Sequence, residues 1–162
     1  MAEEFMYWRD LRGKPVLIAR QGREAGEVAD FYYDPGTQAI NALRVNAGLR
    51  GYRILLPSAI SSIERAGVTI ANPEMLIDEA NAGPVYQLPT GNRLLGFRIL
   101  TERGATIGTV RNLVLGVYPP VAMRISSFEL EGRRTRRISA HEITSFGDNF
   151  LTVMDQVGEA IR

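Results

Sequence analysis

The chain has 162 residues, 19 basic and 18 acidic, a formal net charge of +1 and a hydrophobic fraction of 45%. It is too apolar for a disordered chain and long enough for one ordinary domain or two very small ones. The near-neutral balance argues against chain-wide attraction to nucleic acid or anionic membrane, and the lack of cysteine excludes disulfides, Cys-ligated zinc and thiol nucleophiles.

The acidic start Met1-Ala2-Glu3-Glu4 lacks the basic, apolar and cleavage regions of a signal peptide. No apolar run approaches the roughly 20 residues of a membrane helix, so a soluble, cytoplasmic protein is expected. Phe5-Met6-Tyr7-Trp8 is a compact aromatic cluster, read as a plug over one end of a core. Val16-Leu17-Ile18-Ala19 reads as a buried strand, Gln21 to Gly26 as its turn, and Glu27 to Tyr33 as the return strand. In that strand strict alternation places Val28 and Tyr32 on one side, with Ala29, Phe31 and Tyr33 on the other. Asp34-Pro35-Gly36-Thr37 is a turn, Ile40 to Asn46 a third strand, and Gly48-Leu49-Arg50-Gly51 leads into a fourth at Tyr52 to Leu56. Pro57-Ser58-Ala59-Ile60 reads as a short helical turn, and Ile63 with Val68-Thr69-Ile70 as the closing strands. Short strands separated by frequent turns, with no long helical period, predict a small β-barrel.

The same order recurs. Leu11-Arg12-Gly13-Lys14-Pro15-Val16 and the Gly22–Gly26–Val28 spacing return as Leu95-Gly96-Phe97-Arg98-Ile99 and Gly104–Gly108–Val110. Ala42-Leu43-Arg44-Val45 aligns with Ala122-Met123-Arg124-Ile125, Pro57 to Ile63 with Ala140 to Phe146, and Val68-Thr69-Ile70 with Leu151-Thr152-Val153. Agreement at separated blocks predicts an internal duplication. Between the copies, Asn72 is a candidate N-cap for a short helix over Pro73 to Ala80, and the rest is linker in which Val85 to Leu88 is apolar enough to dock. The expected organisation is 1–72 first barrel, 73–93 partly helical linker and 94–162 second barrel.

This order of pieces, from Leu-x-Gly-x-x-Val through a Gly-x-x-x-Gly-x-Val hairpin to a final Val-x-Ile strand, resembles the PRC-barrel family. The resemblance covers residues 9–72 and 94–155 as a tandem pair of all-β barrels. It implies an adaptor in the assembly of larger complexes, with no shared catalytic centre. One branch of that family acts in ribosome maturation, so an RNA- or ribosome-associated factor is the alternative.

Sites of chemistry are few. His141, the only histidine, falls in a turn that carries none in the first copy, so it reads as a turn or interface residue. Scattered carboxylates lack metal-ligand spacing, and Gly22 to Gly26 lacks the Lys-Ser/Thr of a phosphate loop. No catalytic, metal or cofactor residue is assigned, and a non-enzymatic role is expected. The partner-binding candidates are Arg133, Arg134, Arg136 and Arg137 on one hairpin, Arg50 and Arg53 on the hairpin aligned with it, and Tyr118 in the apolar Gly116-Val117-Tyr118-Pro119-Pro120-Val121 loop. That loop is expected to pack between the barrels. Open strand edges allow pairing with another chain, including a homodimer.

Overall fold

The computed structural model describes residues 4–161; residues 1–3, most of the acidic start, and Arg162 lie outside it. A strand β1 (Phe5–Tyr7) and one helical turn α1 (Trp8–Leu11) open the chain. The first half continues with β2 (Pro15–Ile18), β3 (Arg23–Tyr33), β4 (Ile40–Asn46), β5 (Tyr52–Leu55), β6 (Ile60–Glu64), β7 (Gly67–Ile70) and β8 (Leu76–Asp78). The second holds β9 (Arg98–Thr101), β10 (Thr106–Gly116), β11 (Arg124–Leu130), β12 (Arg136–Ser139), β13 (Ile143–Phe146), β14 (Phe150–Val153) and a short helix α2 (Asp155–Ala160). The protein is all-β, as its turn spacing predicts.

Two seven-stranded sheets result, with strand orders β6-β7-β2-β3-β4-β5-β8 and β13-β14-β9-β10-β11-β12, the latter joined by β1 alongside β10. Apart from β8 in the first and β1 in the second the orders are the same, down to the one parallel pair in each, where Val16 faces Val68 and Ile99 faces Leu151. The bulges coincide as well. The β3–β4 ladder slips between Val28 and Asp30, and the β10–β11 ladder between Val110 and Asn112.

This register corrects one alignment. Asp30 faces Arg44 and Phe31 faces Leu43, while Asn112 faces Glu129 and Leu113 faces Phe128. Leu43 therefore corresponds to Phe128, and not to Met123 as the resemblance of Ala42-Leu43-Arg44-Val45 to Ala122-Met123-Arg124-Ile125 suggests. The loop before β11 is longer than the one before β4, and a short apolar string matches at the wrong phase. The bulge also overrides strict alternation. It inserts one residue and changes face, so Val28 lies in the same core as Phe31 and Tyr33 while Tyr32 points the other way. Gly26 sits inside β3, with the turn ahead of it at Ala19 to Gly22.

The stretch read as linker is woven into the fold. Asn72 begins only a single turn at Pro73–Met75 and makes no side-chain cap; Leu76–Asp78 then pairs with β5, Leu76 opposite Leu55 and Asp78 opposite Arg53. Boundaries at 72 and 94 thus cut through hydrogen-bonded structure. Val85 and Leu88 dock where expected, over Tyr32, Ala42 and Ile54.

The halves meet along a local pseudo-two-fold axis. Ala39 bridges Arg124; the Ile40 N–H donates to Met123 O (2.9 Å) and the Ile125 N–H donates to Gln38 O (3.0 Å). By the register, Ile40 and Ile125 are equivalent residues, so each half gives the other the same bond. One hydrophobic core spans both sheets. An aromatic chain crosses it: Trp8 meets Phe31 edge-on at 4.9 Å, Phe31 meets Tyr33 at 6.2 Å, Tyr33 meets Phe146 at 5.8 Å, and Phe146 meets Phe128 at 6.0 Å. Burying each of Trp8, Phe31 and Phe128 stabilises the fold by about 1.5–3 kcal/mol. Pro120–Ala122 lies against Pro57–Ala59 and β6, the expected packing between halves, though Tyr118 and Val121 remain exposed.

Candidate functional site

Each half is locked by the segment that precedes the other copy. Residues 5–7, ahead of the first copy, pair with β10 of the second, Tyr7 opposite Val114. Thr90, ahead of the second copy, bridges Tyr32 on β3 of the first. The residue that follows each bulge fastens this exchange. Asp30 Oδ1 accepts the N–H groups of Phe31 and Asn92, both at 2.9 Å. Asn112 Oδ1 accepts those of Leu113 (2.9 Å) and Arg9 (3.3 Å). The Asn92 amide completes the joint, its Oδ1 accepting from Trp8 Nε1 (2.8 Å) and its Nδ2 donating to Ala29 O (3.0 Å). Trp8 is wholly buried. The aromatic cluster therefore divides: Trp8 and Met6 are core, and Phe5 is an exposed rim.

From this shared frame the halves diverge in polarity. In the first, Ala29 at the bulge leaves open a cleft of about 330 Å³ lined by Arg12, Glu27, Asp30, Arg44, Tyr52 and Asn92. Burial pushes the Asp30 carboxyl up, and the N–H groups of Asn92 and Phe31, the Thr90 side chain and the Arg44 charge offset it only in part. Arg44 donates from Nε to Glu79 (2.7 Å) and lies over the Tyr52 ring at 3.8 Å. In the second half Arg111 stands where Ala29 does and reaches Glu129 Oε1 from Nε (3.1 Å) and Nη2 (2.9 Å). Glu129 Oε2 accepts from Tyr7 (3.1 Å) and faces Arg137 at 3.6 Å. Burial works against this carboxylate, but the hydrogen bonds of Arg111 and Tyr7 and the charges of Arg111 and Arg137 outweigh it and hold its pKa below the usual range.

The arginines singled out in the sequence have different fates. Arg53 pairs with Asp78, so it belongs to the β5–β8 joint. Arg136 is half-buried and donates to Ile107 O (3.3 Å). Arg137 is braced by Tyr7 and Glu129 at the surface. Arg133 and Arg134 are exposed at the hairpin tip and form no ion pair among the described residues. Arg50 is exposed on the corresponding hairpin of the other half, and Tyr118 is exposed on the loop before β11. The seven candidates thus do not converge on one site.

What sequence reading missed is the Glu129 cluster. Its signal was the pair of residues that follow the bulges, Asp30 and Asn112, which alternation treats as ordinary strand positions. His141 is an exposed turn residue whose backbone N–H donates to Ser139 Oγ (3.3 Å). Among the described residues no three His, Asp or Glu side chains gather as metal ligands, and no helix is long and apolar enough to cross a membrane.

Residues 3–77 match the family model of the PRC-barrel domain. The N-terminal half is a PRC barrel. The match takes in β1 and ends at Ile77 inside β8, so the PRC pattern includes the strand laid along β5. No curated protein sequence matches the chain. PRC-barrel membership makes this half a small β-barrel module; the second sheet repeats its strand order and register except for β8.

Proposed function

We propose that the chain is a non-enzymatic interaction module of two PRC-type barrels, docking onto a protein partner through the basic hairpin between β11 and β12. The observation that carries this reading is the contrast within that hairpin. Its base is rigid, held by Glu129 between Arg111, Arg137 and Tyr7, while Arg133 and Arg134 project beyond it into solvent. A braced strand base limits the ordering cost of engaging a carboxylate-rich surface to the arginine side chains themselves, which favours binding.

The test is affinity purification of the tagged protein from native extract, with and without nuclease, beside the Arg133→Glu/Arg134→Glu variant. The expected result is discrete protein partners that survive nuclease and are lost from the variant, whose stability stays within about 0.5 kcal/mol of the parent because both positions are exposed. Ribosomal material that leaves with nuclease or moderate salt replaces this reading with the RNA-associated alternative.

A further inference from the structure

The two sheets share six strands in the same order; the first adds β8 on β5 and the second adds β1 on β10, and the absence of a β8 counterpart points to a second docking surface. In the PRC barrel the outer edge of β5 is covered by β8, with Arg53 opposite Asp78, Ile54 opposite Ile77 and Leu55 opposite Leu76. The register makes β12 the counterpart of β5: Leu55 faces Leu43 as Ile138 faces Phe128, and Arg53 faces Val45 as Arg136 faces Leu130. After β14, however, the chain turns into α2, and β12 ends its sheet with no strand on its outer edge among the described residues.

We propose that the open edge of β12 receives an extended acidic peptide strand from a protein partner, in the place that β8 takes on β5. The positions dictate its chemistry. A residue opposite Ile138 is apolar, as Leu76 is opposite Leu55. A residue opposite Arg136 is acidic, as Asp78 is opposite Arg53. The middle residue changes: Ile54 is matched by Arg137, which is exposed, so the position filled by Ile77 in the barrel becomes acidic. The occupant is therefore an apolar-acidic-acidic strand joined by main-chain hydrogen bonds. A second copy of β12 is a poorer occupant, since full-length antiparallel pairing of the two edges sets Arg136 opposite Ser139 and Arg137 opposite Ile138 and offers neither arginine a carboxylate. The proposal deepens the docking reading above by naming the surface and the partner's form.

The probe is a synthetic peptide of residues 73–81 carrying Ile77→Glu, titrated into the full-length protein and followed by amide chemical shifts and hydrogen exchange. Saturable shifts and slowed exchange at residues 136–139 are expected. A control peptide with Ile77→Arg and Asp78→Arg should bind about tenfold more weakly, two attractive cross-strand pairs having become repulsive. The protein variant Arg136→Glu/Arg137→Glu should reverse the preference, and this reversal separates recognition from unfolding. Absence of shifts at 136–139, equal binding of both peptides, or protection of 136–139 that grows with protein concentration alone overturns the proposal. The peptide experiment leaves Arg133 and Arg134 untouched, so its failure with partners still retained in the purification removes the strand site and spares the docking module. Peptide binding with no retained partner does the reverse.

Discussion

Gly91 is the tightest point in the exchange between halves, and replacing it is the most direct test of that joint. An alanine there places its Cβ 2.6 Å from Phe31 Cδ1 and closer still to Cε1 and Cζ. Carbon atoms rest about 3.5–4.0 Å apart, so the ring has to retreat by roughly 1.5 Å to relieve its nearest atoms. It has nowhere to go: Phe31 is wholly buried, with Trp8 edge-on at 4.9 Å and Tyr33 at 6.2 Å. Overpacking of this kind costs about 1–3 kcal/mol, and a ring confined on two sides puts Gly91→Ala near 3 kcal/mol. In a chain of this length that lowers Tm by on the order of 6–12 °C. The other half suggests the compensation. Trp8 corresponds to Gly91 there and Leu113 to Phe31, a large residue beside a smaller one. Phe31→Leu alone should cost about 1 kcal/mol. The double variant should then recover about 1–2 kcal/mol relative to the sum of the single changes. Urea denaturation of all four proteins measures the coupling. Additivity within about 0.5 kcal/mol, or a Gly91→Ala loss smaller than that, refutes the packing argument.

Asp30→Asn should raise stability near neutral pH, because Asn112 makes the same two N–H bonds in the other half with no charge to desolvate. The raised folded-state pKa of Asp30 means that the native state takes up the proton first. Its part of the stability grows as pH falls from that pKa toward the ordinary 3.8, and urea midpoints across that range should lose this component in the variant. Glu129 has the opposite sign. Its folded-state pKa is depressed, so its stabilisation is complete above the ordinary 4.5 and is lost as pH falls through the folded-state value. Glu129→Gln should cost about 1.5–3 kcal/mol near neutral pH and remove that acid-side loss from the pH profile; an unchanged profile counts against the cluster. Trp8→Ala should cost about 3–5 kcal/mol, while Trp8→Phe, which keeps a ring but gives up the bond to Asn92, should cost about 1 kcal/mol more than its lost volume alone, read from thermal melts.

The all-β class, the duplication and turns such as Asp34 to Thr37 were legible in the sequence, because each depends on local chemistry: proline and glycine at Asp34-Pro35-Gly36, short apolar runs, and their recurrence after Gly96 and Gly104. The candidate site was legible only as a density of arginines. Which of them is free depends on partners far away in the chain: Asp78 for Arg53, Tyr7 and Glu129 for Arg137. The tertiary structure alone decided the phase of β3 and β10, since alternation runs straight through Asp30 and Asn112 while the bulge turns Val28 and Phe31 to the same core. It also decided that Phe5–Tyr7 and Thr90 cross to the opposite half, and that β8 covers one sheet edge while its counterpart stays open. Residues near in sequence set turns and strand lengths, whereas edge pairing is a competition among every strand in the folded chain, and its outcome is written in no single stretch.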